Sequence, residues 1–486
     1  MNVKLTGKQI GFFIGPLLFV IILVTVPNDF ISPDAYKVLA VGVWMITWWI
    51  SEAAPVAISA LLPLILFPAL GVMNISASTA PYANPSVFLF MGGFMIALAL
   101  EKYRLHERFA INLIRLTGTS GNGIILGFTL STGIISMWIS NTATALMMLP
   151  IATSVITLLR KPSSEAGAHI SKGEHYFALG LMLSIGYAAS IGGMATKIGT
   201  PPNVVFDGFV KQFYQHDITF GKWMMIGLPV AALITASTYL LITRILFPNR
   251  LPKIEGSDGL IRTRLAELGN IKKEEKLVLV VFSITSFLWI FQGLLNTFAD
   301  SDVFNDTNIA MFGGLLMFTV PTKLSENKFL LTWEDTKRLP WGILILFGGG
   351  ICLAKGMEVT EIIKSIGDYI SMQRHLPFWA LLIILITITV VLTEFMSNVA
   401  LVTIFVPVVF AIAEGLNINP ILLALPVTFA ASCAFMFPIS TPPNAIVFAS
   451  GHIKMKDMMR AGMLLNVASI IIIWLLAVFL LEDLNL

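Results

Sequence analysis

A serine–asparagine pair occurs twice in this chain, each time inside a long apolar stretch. The first copy is Ser140-Asn141-Thr142, and the second, Ser397-Asn398-Val399, stands 257 positions later. Each is followed by a Thr-Pro-Pro-Asn sequence, at Thr200–Asn203 and at Thr441–Asn444. Hydroxyls, amide groups and carbonyl oxygens can contact both an anion and a hard cation. The pattern predicts a polar binding site built from the two halves of an internal duplication.

Two further features of each copy favour binding of a cation. Successive prolines remove two amide donors, so a continuous helix must break there, which frees the carbonyl groups of Gly199 and Ser440. A hydroxyl also stands one helical turn before each serine–asparagine pair, at Ser136 and Thr393, on the same helical face. Each half can therefore form one all-oxygen cation site, and an anion can bridge the two.

The composition indicates that these motifs lie in a membrane. Of the 486 residues, 56% are hydrophobic and 12% are charged, whereas a soluble domain carries about 25% charged residues. A transmembrane helix needs about 20 apolar residues. Stretches of that order predict eleven spans, near residues 10–27, 35–51, 54–71, 86–103, 177–196, 222–247, 276–297, 307–320, 338–356, 421–437 and 457–481.

Two apolar stretches are too long for a single crossing, and the serine–asparagine pair interrupts each of them. They cover about 121–159 and about 377–414. A polar break in such a stretch favours a re-entrant helical hairpin, whose tip is buried in protein or faces a water-filled cavity. We therefore predict an all-α polytopic membrane protein with about eleven transmembrane helices and two re-entrant hairpins.

The basic residues predict the orientation of these elements. With a cytoplasmic N-terminus, the predicted cytoplasmic segments hold 23 of the 31 lysines and arginines, as the positive-inside rule requires. The first hairpin then opens inward, the second opens outward, and the C-terminus lies outside. The predicted divisions are an N-terminal helix in 1–34, a first repeat in 35–247, a cytoplasmic connector in 248–276 and an inverted second repeat in 277–486. Inverted repeats with interrupted helices are typical of secondary transporters.

With these motifs in place, the chain resembles the divalent anion–sodium symporter (DASS) family of di- and tricarboxylate transporters. The resemblance runs from Trp48–Ala53 to the last span and rests on the two Ser-Asn motifs and their Thr-Pro-Pro-Asn breaks. It implies a homodimeric elevator in the cell membrane, in which a transport domain containing the hairpins slides against a scaffold domain. It also implies sodium as the coupling ion, with no organic cofactor and no nucleic-acid partner.

The resemblance assigns roles to particular residues. The first sodium site would use Ser136, Ser140, Asn141 and Gly199. The second would use Thr393, Met396, Asn398 and Ser440. The substrate carboxylates would contact Asn141, Thr142, Thr200, Pro201, Asn398, Val399, Thr441 and Pro442.

Two residues depart from the family's pattern. Val399 replaces the threonine of the first motif, so the second tip has fewer donors. Lys197 lies two residues before Gly199, where an apolar residue is expected. Its ammonium group either reaches water or pairs with a carboxylate, for which Glu394 is a candidate. Alternatively it stands in for a sodium ion or contacts a substrate carboxylate directly. Glu394 itself is alternatively a proton or cation ligand.

These observations favour a secondary active transporter of small dicarboxylates such as succinate, malate or fumarate, coupled to sodium. The alternative is a sodium-independent dicarboxylate exchanger in which Lys197 replaces a cation. An anion channel would need a continuous polar pore, but the polar residues cluster at two breaks. An enzyme is not expected, because the sequence holds no HExxH, GxSxG or phosphate-binding glycine loop.

Overall fold

The computed structural model describes residues 6–25, 32–159, 171–252, 254, 256–301, 303–371 and 377–480. Over these residues the chain is almost entirely helical, with 22 α-helices and one small antiparallel strand pair, β1 (Pro321–Lys323) with β2 (Lys328–Phe329). Residues 160–170, between the first predicted hairpin and the span at 177–196, and the two ends of the chain lie outside the described residues. The prediction of an all-α protein is confirmed.

The first helices of the chain follow the predicted spans closely. They are α1 (Gly7–Val24), α2 (Pro33–Ser51), α3 (Val56–Ser59), α4 (Leu62–Ala69), α5 (Ile75–Thr79), α6 (Pro85–Lys102) and α7 (Leu105–Leu116). The span expected at 54–71 is two short helices, because Pro63 starts a new helix in its first turn. Helix α7 was not predicted as a separate element.

Two segments of five helices have the same order of elements. The first contains α8 (Gly121–Ser136), α9 (Asn141–Leu159), α10 (Lys172–Gly192), α11 (Pro201–Tyr214) and α12 (Phe220–Leu240), which a π-helical turn extends to Leu246. Between these segments lie α13 (Ser257–Leu268), α14 (Lys273–Ala299), α15 (Asp306–Thr319), α16 (Trp341–Val359) and α17 (Ile362–Ser371). The second segment contains α18 (Phe378–Thr393), α19 (Asn398–Gly415), α20 (Pro420–Ala431), α21 (Pro442–Ala449) and α22 (Met455–Leu480).

The predicted polar connector at 248–276 contains a helix, α13, that the sequence reasoning missed. An arginine of α7 anchors the end of this connector. The Arg108 guanidinium lies 2.8 Å from Glu275 and donates to the carbonyl groups of Leu268 and Gly269. The connector is therefore packed against α7 rather than free in solution.

Nine helices in the described part of the chain are long and apolar enough to cross a membrane. Two of them, α9 and α19, are arms of the predicted hairpins. Large apolar side chains such as Phe13 of α1 and Phe298 of α14 are exposed on the outside, as expected for lipid-facing helices. Helix α10, in contrast, is entirely buried over its most apolar window. It is the central helix of the first five-helix segment.

Glycines bring the backbones of α6 and α15 into direct contact. A Cβ atom on Gly92 would lie 2.4 Å from the carbonyl oxygen of Ala310. From the other side, a Cβ atom on Gly314 would lie 3.2 Å from the Cα atom of Gly92. Because backbone cannot move aside as a side chain can, α6 and α15 must behave as one rigid pair.

We expect Gly92→Ala to destabilise the protein, because the new methyl group would overlap the α15 backbone. Overpacking of this kind costs about 1–3 kcal/mol. Thermal unfolding of the purified protein in detergent measures the effect as a lower Tm. The matched control is Gly293→Ala in α14, where a Cβ atom would have no neighbour within 4 Å and helix propensity should improve. A Tm for Gly92→Ala equal to that of the control would contradict the rigid pairing.

Candidate functional site

Both predicted interruptions fall at the serine–asparagine motifs. Helix α8 ends at Ser136 and α9 begins at Asn141, while α18 ends at Thr393 and α19 begins at Asn398. Each asparagine is therefore the first residue of its helix, where amide N–H groups point outward and the helix dipole is positive. The two breaks expose the same kind of helix start.

A hydroxyl before each break lies among more oxygens than it can satisfy. Ser136 Oγ is 2.7 Å from Asn141 Oδ1 and 2.6 Å from the carbonyl oxygen of Ala189. A hydroxyl has a single proton and can donate to only one of two acceptors. When the asparagine oxygen faces the hydroxyl, two oxygen acceptors compete for the single serine proton. A bound cation would balance such a cluster.

The second break repeats this arrangement. Thr393 Oγ1 is 2.9 Å from Asn398 Oδ1 and 2.5 Å from the carbonyl oxygen of Ala431. The spacing between hydroxyl and asparagine is five residues in both halves. The structure therefore brings together Ser136 with Asn141, and Thr393 with Asn398, as the sequence pattern predicted.

The first cluster extends to Gly199 through a glycine that was not predicted as part of the site. A Cβ atom on Gly193 would lie 2.8 Å from Asn141 Oδ1 and 3.0 Å from the Gly199 carbonyl oxygen. Thr200 lies on the same side, with its Cβ atom 2.9 Å from that point. Only a residue without a side chain allows this close packing, which brings two candidate oxygen ligands near one another. The chemistry of these oxygen donors suits a small hard cation.

The Thr-Pro-Pro-Asn sequences start helices as well as ending the preceding ones. Thr200 and Thr441 have almost identical extended backbones at the N-caps of α11 and α21, and the prolines take the first helical positions, where a missing N–H costs nothing. Thr441 Oγ1 accepts the Asn444 N–H, so its own proton stays available. Thr200 makes no capping hydrogen bond with its side chain. Both threonine hydroxyls can therefore donate to an anion.

The last residue of each Thr-Pro-Pro-Asn sequence has a role that the sequence reasoning did not assign. Asn203 Nδ2 donates to the carbonyl groups of Gly193 (3.0 Å) and Thr196 (2.8 Å). Asn444 Nδ2 donates to Ala434 (2.9 Å) and Phe437 (3.2 Å), at matching positions of the second half. Each amide thus closes the loop that carries a cation-site carbonyl group. The asparagine at the fourth position of both Thr-Pro-Pro-Asn sequences was the sequence signal that could have indicated this role.

Hydroxyls from the same loops hold the two tips. Thr196 donates to the carbonyl oxygen of Met137 at 2.5 Å in the first half. Ser440 Oγ lies 3.1 Å from the carbonyl oxygen of Glu394 in the second half. Movement of either loop would therefore disturb the tip next to it.

The other assigned residues form the rim of the two clusters. Ser140 is exposed and its hydroxyl accepts the Ala143 N–H, which caps α9. Half-buried or exposed positions at the helix starts are Thr142, Pro201, Met396, Val399 and Pro442. Ser136, Gly199 and Thr393, in contrast, are buried. Each cluster thus has a buried floor and an accessible rim.

Helix α10 lies next to polar residues of both halves. A Cβ atom on Gly186 would lie 3.4 Å from Asn444 Oδ1, and Gly193, just past the end of the same helix, borders Asn141. Seven residues of helix span about 10 Å. Polar groups from the two halves are therefore neighbours along one buried helix.

Glu394 does not pair with Lys197, which corrects the expectation from the sequence. One of its oxygens accepts the Phe435 N–H (2.8 Å) and the Asn466 amide (2.7 Å). The other is 2.8 Å from Ser440 Oγ. These partners are neutral, and the carboxylate is only 2% exposed. Its charge is thus available to a cation at the adjacent second cluster.

Lys197 is fully buried and pairs with aspartates. Its Nζ atom is 2.6 Å from Asp306 and 2.8 Å from Asp207, and both carboxylates are also buried. Asp306 is 109 positions away in sequence, and Asp207, although only ten residues after Lys197, lies on a separate helix, α11, so spacing did not reveal either partner. The lysine charge is therefore balanced without Glu394.

Comparison with known proteins identifies the family. The family model described as "Sodium:sulfate symporter transmembrane region" matches residues 9–482. The sodium-dependent dicarboxylate transporter SdcS of Staphylococcus saprophyticus is 40% identical over 478 residues, covering 98% of this chain and 91% of SdcS. SdcS of Staphylococcus aureus strain MRSA252 is also 40% identical, with the same coverage. The chain belongs to the divalent anion–sodium symporter family.

More distant solved structures have the same fold. The YdaH transporter of Alcanivorax borkumensis superposes with a TM-score of 0.58 at 12% identity, over 85% of this chain and 88% of YdaH. MtrF of Neisseria gonorrhoeae gives a TM-score of 0.57 at 13% identity, over 98% and 95% of the two chains. The polytopic membrane architecture of this symporter-family chain is therefore shared well beyond its close relatives.

We expect Gly193→Ala to weaken cation binding, because the methyl group would enter the space between Asn141 Oδ1 and the Gly199 carbonyl oxygen. Sodium that binds only the folded protein raises Tm by an amount set by the ratio of its concentration to Kd, so a sodium titration of thermal unfolding, with choline chloride holding ionic strength constant, measures the effect. A loss of ~1.4 kcal/mol would raise the apparent Kd about tenfold. The control is Gly133→Ala in the first hairpin, where a Cβ atom would have only one neighbour, at 3.8 Å. Equal sodium titrations for both variants would contradict the site.

Proposed function

We propose that this chain is a sodium-coupled symporter of small dicarboxylates in the cell membrane. The observation that carries the proposal is the pair of proton-deficient oxygen clusters at Ser136–Asn141 and Thr393–Asn398. The relatives that are 40% identical are named sodium-dependent dicarboxylate transporters. Sodium is a hard cation that suits hydroxyl, amide and carbonyl oxygens, which are the groups these clusters offer.

The substrate would bind where the two clusters present helix starts. Carboxylates accept hydrogen bonds from the N-terminal amides of α9 and α19 and from the hydroxyls of Thr142, Thr200 and Thr441. Val399 offers no hydroxyl, so the second tip would bind its carboxylate mainly through Asn398 and backbone groups. Two sodium ions and a dianion form a neutral cargo. Neutrality lowers the cost of moving a doubly charged solute through a low-dielectric interior.

Sodium and substrate would be coupled because they share residues. Asn141 and Asn398 each offer an oxygen to a cation and a helix-start amide to the substrate. A cation drawn to Asn141 Oδ1 also orders the start of α9. Binding of one solute therefore lowers the cost of ordering the site for the other, which is the free-energy coupling that symport requires.

The sodium-independent exchanger is not favoured by the geometry around Lys197. An ammonium group that replaced sodium would have to lie free beside the cation-site oxygens. Lys197 is instead paired at 2.6–2.8 Å with Asp306 and Asp207. Its charge is already compensated.

The packing supports an elevator mechanism. We assign α8–α12 and α18–α22, which contain both clusters, to a hairpin body, and α1–α6 with α14–α16 to a supporting body. Their contact includes smooth surfaces, such as the ring of Phe220 stacked on Trp289 with centroids 4.7 Å apart and planes within 5°. Such a contact can slide with little steric resistance. We further propose that the protein is a homodimer joined through the supporting body. Its N-terminus would be cytoplasmic and its C-terminus external.

We expect purified protein in liposomes to take up labelled succinate in a saturable way when sodium is outside, and little when potassium replaces it. Asn141→Ala and Asn398→Ala should each reduce uptake to background, because each removes a cation ligand and alters a helix start. Size-exclusion chromatography and Tm in sodium-free buffer check that the variants fold. Uptake that needs only internal dicarboxylate would indicate exchange, and conductance without saturation would indicate a channel. Near-normal transport by either variant would contradict the site.

A disulfide between the bodies tests the sliding. A Cβ atom on Gly208 in α11 would lie 3.9 Å from the Ser86 Cβ atom in α6, close to the mean of about 3.8 Å in disulfides. We expect oxidised Ser86→Cys/Gly208→Cys protein to lose succinate uptake and to regain it after reduction. Each single-cysteine variant serves as a control. Transport that continues in fully cross-linked protein would contradict the elevator.

A further inference from the structure

A cluster of charged side chains lies where the first cation-site loop meets the start of α15. Lys197 lies at its centre, between Asp306 and Asp207. The lysine and Asp207 side chains are 0% exposed and that of Asp306 is 1% exposed. Buried charges of this kind are stable only in pairs, since removing one partner leaves a buried charge uncompensated.

The cluster continues from this buried centre to the surface. Lys211 is 3.1 Å from Asp207 and 3.0 Å from Asp217, whose side chain is 47% exposed. Lys197 is also 3.6 Å from Asp217. Two lysines and three aspartates leave one net negative charge. The cluster is therefore well compensated, and its members differ mainly in where they are attached.

Only one member of the cluster belongs to the supporting body. Asp306 is the first residue of α15, whereas the other four lie between the end of α10 and the start of α12, in the hairpin body. The second Asp306 oxygen accepts the Phe220 N–H at 3.2 Å, and its carbonyl oxygen accepts Trp289 Nε1 at 3.1 Å. The carboxylate is thus held in a fixed direction toward Lys197.

Lys197 belongs to the loop that forms the first cation site. Thr196, one residue earlier, holds the tip at Met137 through its hydroxyl. Gly199, two residues later, directs its carbonyl oxygen toward the space beside Gly193. The position of Lys197 therefore influences both the tip and a cation ligand.

We infer that Lys197 and Asp306 form a positioning ion pair that holds the first cation-site loop against α15 in one state of the transporter and breaks when the hairpin body slides. The inference rests on the elevator in the proposed function. When the bodies separate, Lys197 keeps Asp207 as a partner, because both move together. Asp306 stays behind at the N-terminus of α15, where the helix dipole favours a negative charge. Asp306 also loses the Phe220 N–H, which belongs to the hairpin body, but the α15 dipole remains, so each charge keeps one source of stabilisation.

The ion pair links the position of the hairpin body to the sodium affinity of the first cation site. While it is closed, the loop carrying Gly199 is held at two neighbouring residues, by Thr196 on the tip and by Lys197 on α15. After it opens, the loop has fewer constraints, and the sodium affinity of the first site falls. Lys197 would thus act on sodium binding without contacting the ion.

The experiment uses formation of the Ser86→Cys/Gly208→Cys disulfide as a reporter of this state. We expect Asp306→Asn in that background to slow cross-linking about tenfold and to raise the sodium concentration for half-maximal uptake by a similar factor, as loss of ~1.4 kcal/mol would. The matched control is Asp217→Asn, which removes an aspartate from the same cluster but within one body. We expect it to change both measurements less than twofold. Equal effects of the two variants, or no effect of Asp306→Asn, would overturn the inference.

A second variant keeps the inference testable if Asp306→Asn does not fold. Lys197→Met/Asp306→Asn removes one positive and one negative charge, so the cluster keeps its net charge and no buried charge loses its only partner. We expect this double variant to fold, to cross-link more slowly and to need more sodium. Parent-like cross-linking and sodium dependence would overturn the inference. Failure of the disulfide to block transport in the parent would instead reject the elevator itself.

Discussion

Each of the two helix breaks places two oxygen acceptors within reach of a single hydroxyl proton. At the first break, one serine hydroxyl serves both an asparagine oxygen and a backbone carbonyl group; at the second, a threonine does the same. At each break the two acceptors compete for that one proton, and a cation coordinated by both oxygens would remove the competition. A cation bound in this way, as proposed, would order the tip beside it.

The two halves meet this condition with different charges nearby. The second cluster lies beside Glu394, whose carboxylate is surrounded by neutral donors. The first lies beside Lys197 and its aspartates, whose joint charge is also negative by one unit. The two clusters therefore have similar oxygen groups but different charged neighbours.

Local sequence patterns predicted most of the membrane-spanning helices and both helix breaks. Apolar length located the spans, and a motif present twice located both breaks and their hydroxyls at Ser136 and Thr393. The partner of Lys197 could not be found in this way, because Asp306 is 109 positions away and is placed there by packing of α15 against α6. Helix α13 was missed because its charged residues led to its interpretation as a polar connector, although Ile261, Leu265 and Leu268 stand at helical spacing and pack against the core. Asn203 and Asn444 were visible in the motif, but which carbonyl groups their amides close depends on the folded loop.

The structure also suggests why a repeated motif can couple two solutes when a single copy could not. One break can order one helix start around one cation, but a dianion has two ends and needs two donor groups at a fixed separation. Helix α10 contacts both halves, since Gly186 lies against Asn444 of the second half and Gly193 follows the same helix beside Asn141. Because α10 is buried throughout its apolar window, it offers a rigid connection between these two contacts. If each break binds a cation as proposed, loss of either cation would disorder one end of the anion site, and the dianion would bind well only when both breaks are occupied.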